Sequence, residues 1–499
     1  MKKFYIYFVL FFFMISVTNY SSELDTTEYF KSKVVEKKLK NGIVLLMMDR
    51  GFSPTLSFHI SFRVGSVDES YSTSGAAHIL EHMLFKGTDK LGTKDYKKEK
   101  PLLDRIEAVG ETIDRLRLEN PGSGEIKKLE AELENLQAQH SKLTVGSPYD
   151  MLYSSNGGVM FNASTSRDMT GYYIQLPSDR IELWAETESA RLKNPVFREY
   201  YRERDNVFEE RLMRYQSNGD GLLQESFFAA AYSAHPYRHP TIGWSSNIKY
   251  MSINDIRKFY NNFYIPSRMT ITIVGKQNPE ETYNIIKKYF EDIKPRPEPG
   301  EVKVVEPEQI GEKRIDVYFK SRPSIMIGWK KPTAPAKDDY AFDIIQTALG
   351  GGKSSRLYRS LVLEKKLASM VYAWNGAPGS RYDNMFILYA APIDGVSPEI
   401  LEKEIYSEMN KFRKEVDSAE IDRVKNLSES SFIFMLDNND GIAGQLSYYQ
   451  TVSKNWRYLA NYLENLNKVS VEDVHNSFDK YLKDKYKTVA ILRDDRSVK

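Results

Sequence analysis

A chain of 499 residues, 41% hydrophobic and 28% charged, is long enough for two to four domains, each with a core of its own. The formal net charge of +2 gives no general attraction to nucleic acid or to an anionic membrane, so no nucleic-acid partner is expected. The absence of cysteine excludes disulfides, thiolate metal ligands and a cysteine nucleophile.

At the N-terminus, Lys2 and Lys3 precede an apolar run from Phe4 to Val17, and polar residues from Thr18 to Glu23 follow. A run this short fits the hydrophobic region of a signal peptide over residues 1–22 better than a bilayer span. Export to the periplasm or the extracellular space is therefore expected, with an uncleaved membrane anchor as the alternative. Residues 34–39, 42–48 and 56–63 read as strands, with Asn41-Gly42 as a hairpin turn.

The loop from Gly65 to Gly75 leads into His78-Ile-Leu-Glu81-His82. In a helix, this H-x-x-E-H spacing sets two imidazoles one turn apart on one face, with Glu81 beside them. The pattern is the inverted zincin signature, and its donors suit one tetrahedral Zn²⁺ per chain. Five residues alone also suit an amphipathic helix with hydrogen-bonded histidines. Ser72, Thr73 and Ser74 offer N-caps for the helix, and Gly87 offers a stop.

Between residues 99 and 145 the apolar positions recur in two helical seams. Leu102, Ile106, Val109, Ile113 and Leu116 form one, and Leu129, Leu133, Leu136, His140 and Leu143 the other. The turn Asn120-Pro-Gly-Ser-Gly124 joins them, which predicts an antiparallel helical hairpin standing as a surface arm. His140 falls in a seam, so packing rather than ligation is expected of it.

Strands follow at 158–168 and 172–176, then helices at 181–191 and about 199–215. Residues 293–310 are rich in Pro, Glu and Lys and read as an extended linker. Two pieces of the chain then recur at an offset of 218. Ser252-Ile-Asn-Asp-Ile matches Ser470-Val-Glu-Asp-Val, and Thr270-Ile-Thr-Ile matches Thr488-Val-Ala-Ile. Two copies of one α+β unit are the simplest reading. The second copy has Leu349-Gly-Gly-Gly-Lys where the first has its metal motif, so it cannot hold metal in that way.

The stretch Gly75-Ala-Ala-His-Ile-Leu-Glu-His-Met-Leu-Phe-Lys-Gly-Thr88 resembles the active-site helix of the pitrilysin/insulinase family of zinc peptidases. The resemblance covers nearly the whole chain and is closest to the short, two-domain bacterial type. It implies an α+β fold of two homologous α/β sandwich domains. The catalytic one spans 30–292 with the hairpin 99–145 inserted, and the other spans 311–499. Glu203-Arg-Asp-Asn-Val-Phe-Glu-Glu210 resembles the family helix whose last glutamate is the third zinc ligand. Glu210 is thereby implied as ligand beside His78 and His82, Glu81 as general base, and Glu203 as an orienting carboxylate. Glu209 is expected to be solvated. Asn162 and Ala163 match an edge strand to which substrate adds, and the two halves are expected to enclose that substrate.

The expected activity is zinc-dependent endopeptidase action on peptides or unfolded protein segments. The alternative is a non-catalytic or partner-dependent subunit of a heterodimeric peptidase or processing complex. Many relatives carry an Arg and a Tyr after the second-half helix, where this chain has Val362 and Ser369. A homologous subunit lacking the metal motif is therefore the expected partner, with Tyr372 as a substitute within the chain.

Overall fold

The computed structural model describes residues 26–495, so the expected signal segment lies outside the described residues. Among them, no helix is long and apolar enough to cross a membrane. Among the described residues, eleven strands build two sheets. The first comprises β1 (Val34–Lys38), β2 (Val44–Asp49), β3 (Thr55–Phe62), β4 (Val159–Thr165), β5 (Thr170–Pro177) and β6 (Met269–Gly275). Their order is β1-β2-β6-β3-β5-β4, with β2 and β6 parallel and the other neighbours antiparallel.

The second sheet comprises β7 (Lys313–Phe319), β8 (Ser324–Lys331), β9 (Ala368–Ala377), β10 (Asn384–Pro392) and β11 (Lys487–Asp494). Its order is β7-β11-β8-β10-β9, again with one parallel pair, β7 with β11. Strand for strand this repeats β2-β6-β3-β5-β4, so the recurrence in the sequence is a recurrence of topology. The matching segments do the same work in each copy. Helices Ile253–Phe263 and Val471–Tyr481 both start with a capping box, Ser252 with Asp255 and Ser470 with Asp473.

Each sheet buries its inner face under helices of its own half. Phe58, Ile60, Leu80 and Trp184 anchor the first core, and Ile327, Trp329, Ile345 and Phe386 the second. The outer faces are covered by exchange. Helix Gly219–Ala231, from the first half, sets Leu223, Phe227 and Phe228 against Met326, Ile387 and Leu492 of the second sheet. Helix Asn439–Ser453 returns the favour, with Ile442, Ala443 and Leu446 against Leu46, Met48 and Val274 of the first. Here the structure departs from the expected clamshell within one chain. A cleft opening between the halves would strip two apolar cores, so they are interlocked.

Two further departures concern the hairpin and the linker. The hairpin helices are Tyr96–Glu119 and Gly124–His140, but the first is no free arm. Ile106, Val109, Gly110 and Ile113 are buried, and a Cβ on Gly110 would lie 2.0 Å from the Tyr201 ring. Asp114 pairs with buried Arg204 at 2.6 and 3.0 Å. Only the tip beyond Asp114 projects, because the lower turns are needed to cover the Tyr200–Arg211 helix. The linker has no regular structure, as expected, yet it is pinned. Glu301 accepts from Arg63, Arg381 and Lys454, and Glu306 from Lys330 and the backbone N–H groups of Ser233, Ala234 and His235.

Candidate metal centre

The histidine helix spans Ala76–Met83. Its N-cap is not one of the expected hydroxyl residues but Gly75, at φ +100°, where a Cβ would meet the Ile242 carbonyl oxygen at 2.6 Å. The free N–H groups of the first turn are satisfied from outside the helix. Glu69 accepts from Gly75 N at 2.8 Å and from Ala77 N at 2.9 Å. Gly87 lies beyond the helix end, at φ +93°, in the turn that reaches Leu91.

One turn apart on this helix, the His78 and His82 rings lie edge to face, 4.9 Å between centroids. Glu210 arrives from the Tyr200–Arg211 helix, which packs alongside. Its Oε1 lies 3.8 Å from His78 Nε2, and its Oε2 lies 3.7 Å from His82 Nε2. One donor atom from each of the three residues falls within 4.8 Å of the other two. These separations exceed a hydrogen bond and approach the edge of a tetrahedron around Zn²⁺, about 3.4 Å for bonds of about 2.1 Å.

The electrostatics also suit a cation. Burial, then His82 and Arg214, lower the His78 pKa to about 3, which keeps the imidazole neutral and able to ligate. Its Nδ1 is buried and has no hydrogen-bond partner. Burial opposes protonation of His82, but Glu203, Glu81 and Glu210 overcome it and raise its pKa. A site that gathers three carboxylates around a neutral His78 and a His82 that draws positive charge fits a dication.

Around the three lie the residues that orient them. Glu203 Oε2 sits 3.4 Å from His82 Nδ1, and Lys86 Nζ donates to Glu203 Oε1 at 2.7 Å and to Glu199 Oε2 at 3.0 Å. Burial works against ionisation of Glu203, yet its bonds to His82 and Lys86 win and hold the carboxyl at about 2. Glu81 accepts a hydrogen bond from the Thr165 hydroxyl, and burial raises its pKa. Glu209 is exposed, as expected of it.

Thr165 closes β4, the free edge of the first sheet. Asn162 and Ala163 stand on that edge opposite Tyr173 and Tyr172, and Asn162 Oδ1 accepts from Ala163 N at 2.8 Å. An extra residue between Val159 and Asn162 bulges the strand, and Met160, at φ +56°, is turned out to solvent. Three other histidines serve the fold. His140 Nε2 meets Glu99 at 2.8 Å, His235 Nδ1 accepts from Tyr237 N at 3.2 Å, and His239 Nδ1 accepts from Trp244 Nε1 at 2.9 Å.

Val362 packs on the second core, Ser369 Oγ donates to the Ala391 carbonyl at 3.2 Å, and the Tyr372 ring is exposed beside Trp374. Sequence reasoning missed Glu69, Lys86, Thr165 and Arg214, the last pairing with Glu210 Oε1 at 2.7 Å. Arg214 alone had a readable signal, four residues after Glu210 on a continuing helix.

Comparison with known proteins agrees along most of the chain. Residues 46–112 and 132–244 match the family model described as insulinase (peptidase family M16), and residues 250–428 match the peptidase M16 inactive domain. The gap between the two parts of the first match, residues 113–131, contains the projecting tip of the hairpin. A protein named zinc protease PqqE, from Helicobacter pylori, is 29% identical over 466 residues, covering 91% of each chain. A probable mitochondrial-processing peptidase subunit beta from Arabidopsis thaliana is 23% identical over 462 residues, 90% of this chain and 76% of that one. A crystal structure of a protease from Helicobacter pylori superposes with a TM-score of 0.78 at 27% identity, covering 92% of this chain and 99% of that one. With both halves matched, in one fold and in one order, the chain belongs to the pitrilysin/insulinase (M16) family of peptidases.

Proposed function

We propose that the chain is a zinc-dependent endopeptidase acting on peptides or unfolded protein segments, with His78, His82 and Glu210 holding one Zn²⁺. The convergence of these three donor groups beside Glu81 carries the reading. Bound there, zinc supplies a Lewis acid and brings the pKa of a water that it binds down to about 7.

The chain's own residues do the rest. The exposed edge of β4 offers its free backbone groups to an extended peptide, which binds as an added strand with little regard for sequence. Glu81, its pKa raised by burial, takes a proton from the attacking water and returns it to the leaving amine. Thr165 fixes the Glu81 carboxylate against the same strand that holds the substrate. Glu203 and Lys86 hold His82 in the orientation that turns Nε2 to the centre. The apolar segment at residues 4–17 supports export, to the periplasm or beyond.

A second reading is favoured by Val362 and Ser369. Val362 has no donor and the Ser369 hydroxyl is committed to the Ala391 carbonyl, so neither replaces the charge of an Arg or the proton of a Tyr; a homologous subunit would complete the site, and the isolated chain would bind metal but cleave slowly. One set of measurements tests both. Wild type should bind about one zinc per chain, and Glu81→Gln should keep the metal and lose peptidase activity. His78→Ala should lose both. Full zinc content in His78→Ala would sink the ligand assignment. An inactive wild type rescued by a homologous subunit would establish the second reading.

A further inference from the structure

The half without a metal motif contains a cavity of about 540 Å³. It lies between helix Lys337–Gly350 and the pair Ser418–Met435 and Asn439–Ser453. Nothing in the peptidase chemistry uses it. Four tyrosines line it: Tyr448, Tyr449, Tyr458 and Tyr462. The rings of Tyr448 and Tyr449 are 5.2 Å apart, and those of Tyr449 and Tyr458 are 4.8 Å apart, so they form one continuous wall.

Another part of the lining is acidic. Asp339 and Asp343 sit one turn apart on helix Lys337–Gly350. Fully buried Lys331 is bonded to Asp339, which leaves two carboxylates for one ammonium group. Among the described residues, no Lys, Arg or His lines the cavity. Among the described residues, the hydrogen-bond donors to Asp343 are neutral, Asn375 Nδ2 at 2.8 Å and the Tyr462 hydroxyl at 3.1 Å, and the Lys331 charge acts on it without a direct bond. Burial, with the neighbouring Asp339 charge, raises the Asp343 pKa to about 7, as expected of a carboxylate short of a cation.

Asn375 adds an independent sign. Its amide nitrogen is committed to Asp339 and Asp343, while its amide oxygen is buried and accepts no hydrogen bond. A buried acceptor without a donor is costly, and a donor entering the cavity would relieve it.

We propose that this cavity binds a primary alkylammonium ion, its N–H groups donating to Asp343 and to the Asn375 amide oxygen, its carbon chain against the tyrosine wall. The charge of one cation restores the local balance, and the ring faces add cation–π attraction. An uncharged alcohol of equal size could fill the space but would leave the carboxylate uncompensated. The same ammonium group is offered by free amines and by lysine side chains.

Calorimetry on the full-length protein decides the matter, using n-butylammonium chloride, n-butanol and Nα-acetyl-lysine methylamide. Millimolar n-butylammonium should bind and n-butanol should not. Asp343→Asn should weaken the amine by roughly tenfold or more, since it keeps the shape and removes the charge. Binding of the lysine derivative as well would identify side chains of peptides as the source; binding of the free amine alone would identify a small amine. The proposal fails if n-butylammonium gives no heat at millimolar concentration, or if n-butanol binds equally well. It also fails if a folded Asp343→Asn protein binds the amine undiminished. The comparison of amine with alcohol needs no variant, so it stands even where the substitution disturbs folding.

Discussion

Glu203 shows how far from the donor atoms the behaviour of the site is decided. It touches His82 through Nδ1 and is itself held by Lys86. Glu203→Gln should leave the fold intact and weaken zinc binding by roughly ten- to a hundredfold, read by competition with a chromogenic chelator. Unchanged affinity would mean that the Glu203–His82 contact orients nothing. The histidine pair and Glu81 were legible because they sit at fixed spacings on one helix, where sequence distance converts directly into direction, whereas Glu203 and Glu210 were legible only through the family resemblance. Glu69 and Thr165 were not. They reach the histidine helix from a loop and from a strand end, and only tertiary packing brings them there. The expected hydroxyl caps failed for the same reason: a loop that must pass Ile242 closely needs glycine at the cap.

At the scale of elements, the hairpin divides into two parts with different consequences. Its heptad seams were plain in the sequence, but the same residues face both a partner helix and the core, and periodicity does not tell the two apart. Replacing residues 115–131 with a short Gly/Ser link should preserve zinc binding and the melting temperature. Removing the whole of 99–145 should yield an insoluble chain, because Arg198 loses Glu99 and Arg204 loses Asp114, each a buried pair costing about 3–5 kcal/mol to break. A soluble, metal-binding product of the larger deletion would refute this. The linker makes a second point. Its composition announced an extended segment and hid its anchors, since acidic residues in such stretches are ordinarily solvated. The four donors around Glu306 outweigh its partial burial and lower its pKa to about 2. The depressed value means that its contribution is complete above about pH 4.5, the ordinary carboxyl value, and is lost as pH falls towards about 2. Thermal melts across that window should fall more steeply for wild type than for Glu306→Gln. Parallel curves would show that the clamp contributes nothing.

For the molecule as a whole, the exchange of helices is the feature with the widest reach. The duplication was legible because both copies keep the same capped helix and the same interior strand. The exchange was not, because an apolar helix face looks the same whichever sheet it covers. Residues 30–292 and 311–495, expressed separately, should each fail to reach a native near-ultraviolet spectrum, and co-expression should restore one co-eluting species. A soluble, monomeric, well-ordered 30–292 fragment would overturn this. The exchange also sets a timetable. During synthesis, the first sheet is complete in sequence by Gly275, but Leu46, Met48 and Val274 stay bare until residues 439–453 have left the ribosome. The second sheet waits longer still, because β11, the strand between β7 and β8, ends at Asp494. Neither half can finish first. The nascent chain therefore remains open almost to its last residues, with two apolar sheet faces uncovered while it grows.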